Sequence, residues 1–148
     1  MCQTMKIRLL FAIPDSESLA LMHSLLEAAL QLNLMPVEVA EARTLQDLYG
    51  RVKMDQDDVV LLDWTIAQAE TPSVVENILA LNPRLRVVTL LPLAHRQYRH
   101  QVWCAGACNG IPKEYMDQEW LSTVLCLMHR AMQRETKLLA KFGVVEPT

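Results

Sequence analysis

Short apolar runs alternate with longer mixed stretches along the 148 residues of the chain. The apolar runs have strand length and lie at residues 7–13, 37–40, 59–62, 87–91 and, less clearly, 108–111. A stretch long enough for a helix follows each run, and the runs VVLL and VVTLL lack the alternation of a half-exposed strand. The pattern predicts an α/β fold with a doubly wound, five-stranded parallel sheet.

Polar residues stand where the predicted helices should begin. Such side chains accept hydrogen bonds from backbone amides that the first helical turn leaves unpaired. The fourth helix should span about residues 94–104, because Gly106 behind it tolerates a left-handed conformation. The other starts are expected at Asp15 or Ser16, at Thr44, at Thr71-Pro72 and at Asp117.

The first and last helices carry more apolar surface than one sheet face needs. Beside the stripe expected to face the core, the first helix has Leu21 and Leu25, and the last has Trp120 and Leu127. Trp103 adds an aromatic side chain to a basic fourth helix. A broad apolar surface on an exposed helix predicts a protein partner, and a second copy is the partner we expect. The alternative is deeper burial beneath neighbouring loops.

Length and composition favour one domain at residues 1–142, followed by a tail at 143–148. We expect the core of this domain at about residues 6–132 and the end of its last helix at about residue 142. No segment approaches the roughly 20 apolar residues of a membrane span, so we expect a cytoplasmic protein without a membrane partner. The four cysteines show no zinc-site spacing, and we expect reduced thiols. We also expect His95, His100 and Cys104 to occupy different faces of the fourth helix.

Positive charge is concentrated between Arg84 and Lys113, where five basic residues meet no acidic one. A stretch of that sign can attract nucleic acid or an acidic protein surface. The chain has no helix-turn-helix pattern, so we interpret the stretch as a solvated face and expect no direct nucleic-acid binding.

Four residues map to the rim where ligands of open parallel sheets bind, beyond the carboxyl ends of the strands: Asp15, Asp63, Leu91 and Lys113. Asp63 closes the run VVLLDW, and Lys113 closes AGACNGIPK. In these two segments the chain resembles response-regulator receiver domains of two-component signal transduction, over about residues 6–132. The resemblance implies a CheY-like, flavodoxin-like (βα)5 fold with strand order 2-1-3-4-5. It also implies that Asp63 has the place of the phosphoacceptor and Lys113 that of the conserved lysine.

Other positions depart from the family. Where the resemblance implies an acidic pair that helps to hold Mg²⁺, the chain has Ile13 and Pro14, and Leu91 stands in place of a serine or threonine. Gly110 replaces the switch aromatic residue. Asp15 is a weak substitute ligand beside Asp63, because an aspartate at a helix start usually caps the helix. We therefore expect a structural Asp63–Lys113 ion pair and no cofactor.

These observations favour an atypical receiver, or pseudo-receiver, that is not an enzyme and acts through protein–protein contacts without phosphorylation. A histidine kinase or an output domain is a further possible partner. One alternative is a working phosphoacceptor that uses Asp63 with a degraded Mg²⁺ site. Another is a ligand-binding regulatory domain, with Ile13, Leu91 and Pro92 as the apolar walls of a pocket.

Overall fold

The computed structural model describes residues 6–142, apart from the side chains of residues 109–111. Cys2 and the tail at 143–148 lie outside the described residues. Within the described residues, five β-strands alternate with five α-helices. The elements are β1 (Ile7–Ala12), α1 (Ser16–Leu32), β2 (Val37–Ala42), α2 (Leu45–Lys53), β3 (Val59–Asp63), α3 (Thr71–Leu81), β4 (Arg86–Leu91), α4 (Arg99–Cys104), β5 (Asn109–Pro112) and α5 (Gln118–Phe142).

The strands form one parallel sheet in the order β2-β1-β3-β4-β5. The predicted doubly wound α/β architecture is confirmed. The central strand β3 is buried along its whole length, as its unbroken apolar sequence predicts. The short edge strand β5 pairs with β4, and the backbone of Gly110 lies beside Thr89.

Helices cover both faces of the sheet and bury two cores. One core lies under α1 and α5, where Met22, Leu26, Leu121 and Leu125 pack on the odd-numbered side chains of β1 and β3. The other lies under α2, α3 and α4 and takes the side chains that point the opposite way. Alternation along each strand therefore decides which core a residue enters.

Three predicted helix starts are confirmed by hydrogen bonds. Asp15 accepts from the Ser18 amide at 2.9 Å, Thr44 from the Asp47 amide at 3.1 Å, and Asp117 from the Trp120 amide at 2.8 Å. The start at Thr71 differs, because its hydroxyl donates back to the Gln68 carbonyl and makes no side-chain cap.

The predicted fourth helix is split in two. A 3₁₀ segment spans Leu93–Tyr98, and only residues 99–104 form α-helix. The break falls at His95, whose ring stacks on Trp64 with centroids 4.6 Å apart and whose φ and ψ are −111° and 21°. The helix stops where it was predicted to stop, since Gly106 has φ +115°.

Ion pairs close the amino edge of the sheet, opposite the candidate site. Arg51 binds the buried carboxylate of Asp57 through two hydrogen bonds of 2.8 and 3.1 Å, which raise the pKa of the arginine. Arg86 at the start of β4 reaches Glu135 at 3.2 Å and holds the long α5 against the sheet. None of the helices within residues 6–142 combines the length and the apolar character that crossing a bilayer requires.

Candidate functional site

The candidate site is centred on Asp63, the last residue of β3. Its side chain is fully buried, and both carboxylate oxygens have partners within the chain. Lys113 Nζ lies 2.7 Å from Oδ1. Oδ2 accepts from the amide of Thr65 at 3.3 Å and from the hydroxyl of the same residue. Asp63 and Lys113 therefore form an ion pair in the structure.

Two backbone features bring this pair together. Lys113 follows β5 directly and opens a short 3₁₀ turn at Lys113–Tyr115, so its side chain starts at the carboxyl edge of the sheet. Asp63 caps another 3₁₀ turn at Trp64–Ile66, which presents the Thr65 amide to the carboxylate. Sequence reasoning missed Thr65, although an aspartate side chain commonly accepts a hydrogen bond from the backbone amide two residues further on.

Apolar side chains surround the pair. A cavity of about 70 Å³ beside it is lined by Ile13, Leu21, Met22, Leu90 and Met116 together with Ser18, Asp63 and Lys113. Lys113 keeps one quarter of its side chain exposed, at 26%. The polar groups of the site are therefore directed at each other and leave little room for a bound molecule.

Leu90, and not Leu91, stands beside Asp63. The two strands pair in a register that sets Asp63 opposite Leu90, and Leu90 enters the core under α1 and α5. Leu91 points to the other face and packs with Leu62 and Val102. The prediction that Leu91 forms a wall of the site is wrong, because neighbouring residues of a strand face opposite sides of the sheet. Pro92 is half-buried and begins the segment that leads to the split helix.

The positions before α1 offer no side-chain oxygen at the rim except Asp15. Ile13 is buried, and Pro14 uses its backbone carbonyl to accept hydrogen bonds of 2.9 and 3.2 Å from Arg43. Asp15 is exposed and accepts from both the amide and the hydroxyl of Ser18 at 2.9 Å. These bonds lower its pKa, and the charge of Lys113 adds to the effect.

Mg²⁺ is a hard ion that binds six oxygen ligands, which carboxylates, carbonyls and water supply. Here the Asp63 carboxylate is occupied by Lys113 and Thr65, and the Asp15 carboxylate by Ser18. Within residues 6–142, no group of three or more histidine, cysteine, aspartate or glutamate side chains is arranged to hold a metal. Among the described residues, the two carboxylates at this rim are directed at partners within the chain and do not form a ready donor set for the ion.

Aromatic side chains fill the space on the α4 side of Asp63. Trp64 is 5% exposed and contacts His95 and Tyr98, with ring centroids 4.6 and 4.8 Å away. The Leu93 amide donates to Glu114 at 2.9 Å and ties this segment to the turn that carries Lys113. Tyr98 packs inward against the core under α2, α3 and α4.

The predicted interface residues fall into two groups. Leu21, Trp103 and Leu127 are exposed by 56, 63 and 58%. Leu25 and Trp120 are half-buried against the core under α1 and α5, so the prediction of an open surface at these two positions is wrong. The prediction that His100 and Cys104 occupy different faces of the fourth helix is also wrong, because His100 Nε2 lies 3.3 Å from Cys104 Sγ. Residues four apart share a helix face.

Solved structures of receiver domains have the same fold. A CheY-like response-regulator receiver domain from Methanospirillum hungatei gives a TM-score of 0.73 at 18% identity, over 88% of this chain and 99% of that chain. The receiver domain of a sensor histidine kinase from Pseudomonas aeruginosa, with a magnesium ion in its active-site cleft, gives 0.68 at 14% identity, over 84% and 98%. A candidate pilus assembly protein from Burkholderia thailandensis gives 0.66 at 20% identity, over 82% and 97%.

No family model matches the sequence, and no curated protein matches it. The likeness to the solved structures rests on low sequence identity and therefore defines the fold. The chain has the fold of a response-regulator receiver domain.

Proposed function

We propose that the chain is an atypical receiver domain that acts in signal transduction through protein–protein contacts and does not depend on phosphorylation. The observation that carries the proposal is the state of Asp63. Its carboxylate is fully buried, one oxygen lies 2.7 Å from Lys113, and the other accepts hydrogen bonds from Thr65. Burial and pairing in this state lower the access of a phosphodonor to the carboxylate.

The electrostatics of phosphoryl transfer support the same conclusion. The transition state spreads negative charge over the phosphoryl oxygens, and enzymes stabilise it with metal ions and fixed donors. Among the described residues, Lys113 is the cation placed to face that charge, and it already neutralises Asp63. The side chain of β4 next to the aspartate is Leu90, which donates no hydrogen bond. We infer that the domain is not an enzyme and needs no Mg²⁺ or other cofactor.

A second copy of the chain is the partner that we propose. Exposed Leu21 on α1 and Leu127 on α5 lie on two helices that pack against each other. Burial of such side chains against a second copy stabilises association by removing apolar surface from water. A cytoplasmic location and the absence of nucleic-acid binding by this domain belong to the same proposal.

A working phosphoacceptor is the second candidate function, favoured by the position of Lys113 beside Asp63 and by the electrostatic effect of Lys113 on Asp15. It requires Asp15 and Asp63 to leave their present partners and bind Mg²⁺. The ligand-binding alternative has less support, because a cavity of about 70 Å³ holds little more than a few water molecules.

The deciding experiment incubates the protein with acetyl phosphate, and separately with beryllofluoride, with and without Mg²⁺. Intact mass measures a covalent phosphoryl adduct, and light scattering of the same samples measures the oligomeric state. We expect neither reagent to change either reading. A Mg²⁺-dependent gain of mass that Asp63→Asn abolishes, and that the exposed-site control Asp47→Asn retains, would establish the working phosphoacceptor instead.

A further inference from the structure

His100 and Cys104 form a pair of potential metal ligands on the outer face of α4. They lie one helical turn apart, both residues are exposed, and Nε2 is 3.3 Å from Sγ. The pair is separate from the site around Asp63 and from the exposed surface of α1 and α5. Imidazole nitrogen and thiolate sulfur at this spacing are the chemistry of a zinc site.

The distance between the two ligand atoms agrees with zinc geometry. Zinc bonds of about 2.3 Å to sulfur and 2.0–2.1 Å to nitrogen, at a tetrahedral angle, set the two ligand atoms roughly 3.5 Å apart. The pair therefore has to open by only a few tenths of an ångström to hold zinc. Hard ions such as Mg²⁺ and Ca²⁺ prefer oxygen and would not select this pair.

One chain supplies only half of a complete site. Structural zinc is four-coordinate, and within residues 6–142 no third histidine, cysteine or carboxylate joins the pair in a metal-binding group. A second copy related by a two-fold axis would bring the same two ligands. Two thiolates then balance the charge of one Zn²⁺ ion. Each thiol releases its proton to solvent when the metal binds.

We propose that zinc bridges two copies of this chain through His100 and Cys104 of each. Trp103 lies between the two ligands in sequence, and 63% of its surface is exposed and available to be covered by the second copy. Arg96 and Arg99 line a groove of about 450 Å³ with His100 and Trp103. Their like charges oppose the approach of two bare α4 surfaces, so this contact should depend on the metal.

The test adds zinc chloride to the full chain, freed of metal with a chelator and kept under a reductant that does not bind zinc. Bound zinc per chain is measured by competition with a chromogenic chelator, and molar mass by light scattering. Co²⁺ in place of zinc reports thiolate ligation through its charge-transfer absorption. We expect one zinc per two chains, an increase of molar mass that the chelator reverses, and a thiolate–Co²⁺ band.

The variants His100→Ala and Cys104→Ser should weaken zinc binding by about tenfold or more, since loss of a ligand costs at least as much as loss of an outer-shell partner. The matched control is Cys108→Ser, which changes an exposed thiol just beyond α4 and should leave uptake and mass unchanged. Equal uptake by Cys104→Ser and the parent chain would overturn the proposal. So would one zinc per chain without a change of mass, or loss of uptake in Cys108→Ser.

Discussion

Lys113 Nζ lies 2.7 Å from Oδ1 of Asp63, in an ion pair whose carboxylate is fully buried and whose ammonium is 26% exposed. The pair joins the end of β3 to the turn after β5, across the intervening strand β4. Leu90 of β4 lies beside it and contributes no polar atom. The lysine is thus the main source of positive charge for a carboxylate that water does not reach.

Removing the lysine should therefore destabilise the fold. Lys113→Met leaves the Asp63 carboxylate buried without its cation, and breaking a buried pair in this way costs about 3 kcal/mol. Urea unfolding should show this loss in the free energy of unfolding at neutral pH. The control is Lys137→Met on the exposed surface of α5, which should change stability little.

A second substitution separates charge from packing at the same place. Asp63→Asn in the Lys113→Met background removes the uncompensated charge and should recover part of the lost stability. If Lys113→Met unfolds at the same urea concentration as the parent chain, the ion pair is not what keeps Asp63 buried.

Asp15 should make stability depend on pH in the acidic range. Hydrogen bonds from the Ser18 amide and hydroxyl favour the charged form and lower its pKa below the ordinary value of 3.8. A carboxylate with a lowered pKa in the folded state stabilises the fold above its unfolded pKa, and this contribution is lost as pH falls through the folded pKa. Asp15→Asn retains a neutral cap and removes this dependence.

Chemical unfolding of Asp15→Asn and the parent chain across pH 2–7 checks this prediction. The difference in free energy of unfolding should be constant above about pH 5 and shrink as pH falls below the ordinary pKa of aspartate, 3.8. A difference that grows as pH falls would contradict the assigned cap. Added Mg²⁺ should leave the difference unchanged, since Asp15 is not expected to bind the ion.

Gly106 sets the turn between α4 and β5, and its replacement tests that turn. Its φ of +115° is strained for any other residue, and a Cβ there would lie 2.5 Å from the Leu79 Cδ1 atom. Gly106→Ala should lower the free energy of unfolding by about 2 kcal/mol. Gly50→Ala is the matched control, because a Cβ at that helical position meets nothing within 4 Å. It should raise stability by about 0.5–1 kcal/mol.

Local signals explain which parts of the fold the sequence predicted well. The caps at Asp15, Thr44 and Asp117 were identified because a cap depends on residues within one turn of each other. The buried strand at VVLLD was identified because a parallel sheet covered on both faces requires an unbroken apolar run. The Asp63–Lys113 pair was expected because both residues map to one rim of the sheet and match the aspartate and lysine positions that the resemblance to receiver domains implies.

Apart from the spacing of His100 and Cys104, the errors concern contacts between elements that are distant along the chain. Leu90 lies at the site where Leu91 was predicted, because the register of β3 against β4 sets Leu90 opposite Asp63. No short-range sequence pattern specifies that register. The fourth helix breaks at His95 because the His95 ring stacks on Trp64, which is distant along the chain. Leu25 and Trp120 are half-buried because α1 and α5 pack together more deeply than either pattern alone indicates.

Exposed Leu127 tests whether α5 takes part in self-association of the chain. Leu127 is 58% exposed, so Leu127→Glu should leave the fold intact and weaken self-association, because a charge would have to be buried in the contact. A loss of about 2 kcal/mol would raise the dimer dissociation constant roughly 30-fold. Sedimentation with a chelator present measures this constant apart from any zinc-dependent contact. Gln133→Glu, on another face of α5, is the control. Equal dissociation constants for the parent chain and Leu127→Glu would exclude α5 from the contact.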